Sequence, residues 1–271
     1  MNQHLQATDS VLADALVETA IAAGKAILEV RASPLAVDKK LDSSPVTEAD
    51  RAAEAIILAA LASLAPAIAV IAEEACAAGN VPTVGDAFFL VDPLDGTKEY
   101  IKGGDDFTVN IALVRHGRPA MGVVFAPATG ALYVGADGSA WTATVKDGWV
   151  GARKAIHVRH AGRRVDVVAS KSHRTPETDA YIARYPVGNL VSAGSSLKFC
   201  LVAEGKADLY PRMGATMQWD TAAGDAVVRA AGGKVVTLDG RPLAYGPTGA
   251  GGGAAFRNPW FIAAGGLEVL T

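Results

Sequence analysis

Val91-Asp92-Pro93-Leu94-Asp95-Gly96-Thr97 closes a dense apolar run, Ala87 to Val91, and the meeting of a buried strand with carboxylates there sets the reading of the whole chain. Short apolar runs bounded by turn residues read as buried strands. Ile68 to Ala72 is another, and it ends in Glu73-Glu74. Carboxylates brought to the ends of two buried strands are costly to hold together unless cations neutralise them. Oxygen donors without His or Cys favour magnesium or manganese over zinc. Pro93 fixes its own φ and restricts Asp92, so Asp92, the Leu94 carbonyl and Asp95 can face one point. Gly96-Thr97 then opens a helical turn whose free N–H groups suit a phosphate oxygen. Asp220, in Trp219-Asp220-Thr221-Ala222-Ala223 ahead of an amphipathic run, can add a carboxylate from the other half. Taken singly, Asp-Gly is usually a turn, Glu-Glu a solvated face and Asp220 an N-cap. Together they point to a metal-assisted anion site.

Outward from this segment, residues 11–30 carry Leu12, Ala15, Leu16, Ala20, Ile21 and Ile27 near helical spacing, with Ser10 as the expected N-cap. A polar stretch, Lys39 to Asp50, leads into a second helix expected from Arg51 to Leu64 and stopped by Pro66. Strands are expected at 108–115, 121–126 and 131–135, separated by Gly and Pro turns. The first half thus reads as helices on a meandering sheet. Beyond residues 146–164 the order alternates: strand 165–169, helix 176–185, strand 189–192, helix 196–204, strand 207–210, helix 220–231, strand 234–238. That alternation predicts an α/β half. Gly246 to Ala254 is expected to be a mobile loop, because no helix follows it to make a phosphate cradle.

With 271 residues, half of them hydrophobic and a fifth charged, the chain has the balance of a soluble globular protein, as one large domain or two joined halves. The division expected is an N-terminal α+β half, 1–155, with most of the carboxylates, and a C-terminal α/β half, 156–271, with Asp220. A net charge of -3 argues against a broad nucleic-acid-binding face, though not against a local basic pocket. Cys76 and Cys200 belong to no metal-binding pattern and are expected to be buried free thiols. The opening residues lack the regions of a signal peptide, and the apolar window 56–72 contains Ser63 and Pro66 and is too short to span a membrane. A cytoplasmic location is expected.

The series Asp50, Glu73-Glu74, DPLDGT and WDTAA resembles the lithium-sensitive phosphatase signature of the inositol monophosphatase superfamily, which includes fructose-1,6-bisphosphatases and bisphosphate nucleotidases. The resemblance implies a layered α/β/α/β/α sandwich. It implies one magnesium on Glu73, Asp92 and the Leu94 carbonyl, a second on Asp92, Asp95 and Asp220, and a third, weaker one near Glu73. Manganese is an alternative, and lithium inhibits by replacing a magnesium. The implied reaction is direct hydrolysis at phosphorus by a metal-activated water, without a phosphoenzyme. Thr97, hydrogen-bonded to Asp50, would orient that water with help from Glu73. Glu74 is equally a support for its neighbours or a structural residue.

The runs AGSSLKFCLVAEGKADLYPR, DGTKEYIKGGDDFTVNIALV and ASKSHRTPET resemble the 3'(2'),5'-bisphosphate nucleotidase branch, the CysQ type, over nearly the whole chain. The Gly194-Ser195-Ser196 turn offers small donors at a helix start, and Lys198 adds a positive charge, which suits a second phosphate. Inositol phosphatases usually carry an acidic residue near the position of Arg212, and a cation there suits a more anionic substrate. The substrate contacts implied are Glu73, Leu94, Asp95, Gly96, Thr97, Ser195, Ser196, Lys198, Arg212 and Asp220. The bland alternative makes Lys198 and Arg212 solvated surface charges. Tyr210 and His173 are further pocket candidates, although His173 could equally cap or pack. The resemblance implies cleavage of the 3'-phosphate of adenosine 3',5'-bisphosphate, with 3'-phosphoadenylyl sulfate as a second substrate. A sugar-phosphate phosphatase using the same metals is the rival, and a silent nucleotide-binding relative the other. Monomer and homodimer both fit, and the resemblance adds peripheral association with the inner membrane face.

Overall fold

Residues 8–32, 37–39 and 45–271 are described in the computed structural model. Positions 40–44 of the polar stretch before Asp50, and positions 1–7, lie outside them. In chain order the elements are α1 (Asp9–Arg31), β1 (Val37–Lys39), β2 (Pro45–Thr47), α2 (Glu48–Leu64), β3 (Ala69–Ala72), α3 (Glu73–Ala77), β4 (Ala87–Asp95), α4 (Thr97–Ile101), β5 (Thr108–Arg115), β6 (Arg118–Ala126) and β7 (Ala131–Ala136). They continue with β8 (Ser139–Lys146), β9 (Trp149–Val150), β10 (Lys154–Ala155), β11 (Val165–Ser170), α5 (Pro176–Ile182), β12 (Val187–Ala193), α6 (Leu197–Ala203), β13 (Leu209–Arg212), α7 (Ala222–Ala230), β14 (Lys234–Thr237) and β15 (Phe261–Ala264).

Successive strand residues face opposite sides of a sheet, and on β4 this alternation feeds two separate cores. Phe89 and Val91 pack with Leu16 and Ile27 of α1 and Ile57 and Leu61 of α2. Phe88 and Leu90 face the other way, into a core with Phe199 and Val202 of α6 and Val227 and Val228 of α7. Burying side chains of this size on both faces is worth about 1.5–3 kcal/mol each. The sheet runs β10-β8-β7-β6-β5-β4-β3, with β9 on β8. It is an antiparallel meander, as expected, except for the parallel β3–β4 pair. A second sheet, β12-β11-β13-β15-β14, has β11 parallel to β12 and β13 and β15 antiparallel to β13 and β14. Tyr210, Val235 and Phe261 turn its inner face to the α6–α7 core. Val167, Leu209 and Ile262 turn the outer face to Tyr181 and Ile182 of α5. The result is the α/β/α/β/α layering that the resemblance implies.

Helix α7 lies unusually deep on the large sheet. Gly122 of β6 and Gly135 of β7 are cross-strand partners. A Cβ on Gly122 would stand 2.3 Å from the Ala223 carbonyl oxygen, and one on Gly135 would stand 2.6 Å from the Val227 Cα. No side chain fits between helix and strands, so the pair of glycines forms a flat seat.

Several expectations change. Thr8, not Ser10, is at the N-cap position of α1, while the Ser10 N–H donates to Asp137 at 2.9 Å. Helix α2 begins at Glu48, three residues early, because Thr47 caps it. Strands β1, β2, β8, β9, β10 and β15 add to those expected. The Gly246–Ala254 stretch leads into a 3₁₀ turn, Gly252–Phe256, whose Phe256 packs edge-on to Phe88. Cys76 and Cys200 are buried free thiols, and among the described residues no helix is long and apolar enough to cross a membrane.

Candidate active site

At the start of α2, Thr47 and Asp50 close a capping box. Asp50 Oδ2 accepts from the Thr47 N–H and hydroxyl, both at 2.7 Å, and Oδ1 accepts from Thr97 Oγ1 at 3.2 Å. The Thr97 hydroxyl also lies 3.1 Å from the Leu94 carbonyl oxygen. Thr97 is the first residue of α4, behind Gly96 at φ 95°, where a Cβ would stand 2.8 Å from the Asp106 carbonyl. Glycine is required at that turn.

Asp92 and Asp95 do not come after the strand but belong to it. Asp92 pairs with Asn110 and Asp95 with Thr108, so Pro93 and Leu94 bulge opposite Val109 alone. Such a bulge re-aims side chains that regular pleating would send to opposite faces. Asp92 Oδ1 accepts from the Leu94 N–H at 3.0 Å and stiffens the bulge. Carboxylate oxygens of Glu73, Asp92 and Asp220 all lie within 4.8 Å of one another. Asp220 comes from the other half of the chain, two residues ahead of α7, and Thr221 takes the N-cap position. The Asp220 carboxylate accepts from the Met217 N–H at 2.9 Å. Withdrawal from water, then the Asp95 and Glu73 charges, push the Asp220 pKa well above the usual carboxylate range. Asp95 is raised too, first by loss of water, against the pull of Lys198 and with Glu73 repelling it. Acidic oxygen donors crowded together in this way are matched to a hard divalent cation.

Across the same space stand cations. Lys198 is 5% exposed, donates to the Ser195 carbonyl and sits 5.4 Å over the Tyr210 ring. Burial pulls its pKa down to about 8, with Asp95 opposing the shift. Arg212, 6% exposed on β13, donates to the carbonyls of His173 at 3.3 Å and Ala215 at 2.8 Å, and its Nε–H has no partner among the described residues. Neither is a solvated surface charge. The His173 ring lies 3.3 Å from the Lys98 ammonium, and burial together with the charges of Arg212 and Lys98 lowers its pKa.

One cavity of about 430 Å³ collects these groups. Glu73, Asp92, Leu94, Asp95, Gly96, Thr97 and Asp220 line it, and so do Ser195, Lys198, Arg212, Tyr210 and His173. Ser196 stands behind the wall: its hydroxyl donates to the Asp220 carbonyl at 2.8 Å and accepts from Asn110 Nδ2 at 3.0 Å. Ser195 lines the cavity, at φ 45°. Asp50 and Glu74 are not part of the lining. Residue patterns gave no sign of Asn110, whose Nδ2 also lies 3.4 Å from Asp95 Oδ2, or of Lys98 and Glu99, which line the cavity directly after Thr97. They gave none of Glu54 either, one helical turn beyond Asp50, which accepts from the Glu74 and Ala75 N–H groups at 2.8 and 2.9 Å.

A sequence profile of the inositol monophosphatase family matches residues 8–266. The chain is 47% identical over 250 residues to the 3'(2'),5'-bisphosphate nucleotidase CysQ of Shigella flexneri, covering 92% of this chain and 97% of that one. It is 46% identical to the Escherichia coli K12 protein of the same name, with the same coverage. Among solved structures, CysQ from Bacteroides thetaiotaomicron superposes with a TM-score of 0.78 at 38% identity, over 98% of this chain and all of that one. The IMPase of Thermotoga maritima superposes with a TM-score of 0.74 at 25% identity, over 94% and 92%.

Proposed function

The chain belongs to the inositol monophosphatase family, and from that premise we propose that it is a 3'(2'),5'-bisphosphate nucleotidase, hydrolysing the 3'-phosphate of adenosine 3',5'-bisphosphate to AMP and phosphate. The observation that carries the substrate class is the shared cavity in which clustered carboxylates meet the buried cations Lys198 and Arg212. A monophosphate needs only the first group; a second phosphate accounts for the other. The Arg212 fork, whose Nε–H has no partner among the described residues, suits a phosphate oxygen, and Lys198 adds a point charge. Tyr210 lines the cavity beside them.

At the other end, Glu73, Asp92 with the Leu94 carbonyl, Asp95 and Asp220 would hold two or three magnesium ions, with manganese as a substitute and lithium as an inhibitor. When bound, such cations lower the pKa of water and neutralise charge on the entering and leaving oxygens. The chain's own residues do the aiming. The Asp50 carboxylate and the Leu94 carbonyl both stand as acceptors beside the Thr97 hydroxyl, so its proton is committed and its oxygen is left to accept from a water in the cavity. Glu73, on the same wall, accepts that water's other proton. The reading extends to 3'-phosphoadenylyl sulfate as a second substrate and to a division of labour between residues 1–155, with most ligands, and 156–271, with the nucleotide contacts. It extends also to a cytoplasmic monomer or homodimer, peripherally associated with the inner membrane face.

The test is phosphate release from adenosine 3',5'-bisphosphate beside inositol-1-phosphate and fructose-1,6-bisphosphate, with magnesium and then added lithium. A lithium-inhibited preference for the nucleotide is expected. Preference for a sugar phosphate overturns the roles given to Ser195, Lys198 and Arg212 but keeps the carboxylate site.

A further inference from the structure

Helix α2 carries a second buried carboxylate one turn after Asp50. Residues four apart share a helix face, and here both are hidden, Asp50 at 2% exposure and Glu54 at 6%. Asp50 reaches forward to Thr97; Glu54 reaches to α3. Its Oε2 accepts from the Glu74 N–H at 2.8 Å and its Oε1 from the Ala75 N–H at 2.9 Å, one amide for each oxygen. These are the amides that directly follow Glu73. The N-cap position of α3 is Ala72, which has no side chain to satisfy them, so the cap comes from another helix. On its other side Glu73 adjoins Ala72, which is fixed in the β3–β4 ladder opposite Val91. The Glu73 backbone is therefore clamped between a strand register and a charge-assisted fork.

We infer that Glu54 is a positioning residue: it fixes the direction in which Glu73 presents its carboxylate to Asp92 and Asp220, and α2 acts as a two-pronged gauge, Asp50 for Thr97 and Glu54 for Glu73. Two hydrogen bonds to a carboxylate only 6% exposed hold the amides after Glu73 in one orientation. That orientation aims a Glu73 oxygen into the 4.8 Å cluster. The inference rests on the reading of Glu73 as a cation ligand.

Calorimetric titration of the metal-free full-length protein with manganese separates the possibilities, using wild type, Glu54→Asp, Glu54→Gln and, as a core control on the same helix, Ile57→Val. Glu54→Asp keeps the charge but withdraws it from both amides. It is expected to bind manganese at least about tenfold more weakly, with the Michaelis constant for the nucleotide near that of wild type, since Lys198 and Arg212 are untouched. Ile57→Val is expected to lower the melting temperature without changing manganese affinity. Glu54→Asp binding as tightly as wild type overturns the inference, even if Glu54→Gln is weakened, because charge alone then explains Glu54. Absence of manganese binding by the wild-type chain overturns the cation site itself, and the inference with it.

Discussion

Asp95 sits half-buried beside Glu73 and Asp220, and loss of water, with Glu73 repelling it, raises its pKa against the pull of Lys198. Asp95→Asn changes the charge at nearly constant volume and keeps an oxygen to accept from Asn110. Turnover is expected to fall on the order of 10³-fold, about 4 kcal/mol of transition-state stabilisation. The metal-free variant is expected to melt no lower than wild type at neutral pH, since a repelled charge has gone, and magnesium is expected to raise its melting temperature less. Activity close to wild type, or a collapsed fold, would contradict the role given to Asp95. The carboxylates were readable because acids rarely adjoin apolar strands without purpose, and in Asp-Pro-Leu-Asp-Gly the proline restricts itself and the residue before it beside two carboxylates. Asn110 and Glu54 were not. Asn110 lies inside Thr108-Val-Asn-Ile-Ala-Leu-Val-Arg, where a single amide looks like an ordinary strand residue, and its partners, Asp95 and Ser196, lie 15 and 86 positions away. Glu54 bonds amides 20 and 21 positions on, and spacing within one helix cannot reveal that.

Among the elements, β4 and α7 decide where the ligands meet. The apolar run predicts an end to β4 at Val91, because Pro93 has no N–H to give to a ladder. Instead the bulge absorbs Pro93 and pairing resumes at Asp95↔Thr108. Pro211 misleads in the same way on β13. That strand is registered to β11 at Val167↔Leu209, and Pro211, which lies beyond this point, needs no donor on that side. Strands β8 to β10 are hidden in the sequence because Ser139-Ala-Trp-Thr-Ala-Thr-Val-Lys alternates weakly, with small residues on both faces. Helix α7 brings Asp220 to the carboxylates at a depth set by Gly122 and Gly135. Gly122→Ala must push the helix backbone away from the sheet, at a cost of about 1–3 kcal/mol. It is expected to lower both melting temperature and turnover, because Asp220 moves with the helix. Gly85→Ala, where an added Cβ meets nothing within 4 Å, is the comparison and is expected to change neither. Equal behaviour of the two variants would show that the seat does not set the depth.

Over the whole molecule, alternation made the α/β half legible and the resemblance implied the five layers, whereas the order of the small sheet was hidden, because β15 returns antiparallel between β13 and β14 from the far end of the chain. Its Phe261 and Ala263 join one core with Ile71, Phe88 and Leu90. That shared core has a consequence in time. The chain leaves the ribosome from its N-terminus, and the face of the large sheet made by Phe88, Leu90, Val114, Val124 and Tyr133 has no cover until α6 and α7 emerge. Nascent chains with residues 1–155 outside the exit tunnel are therefore expected to be cut readily by protease, and those with residues 1–271 outside to resist it; resistance at the shorter length would show that the first half folds unaided. Until α6 and α7 emerge, the unfinished protein is expected to be a client for whatever shields sticky surfaces in the cell.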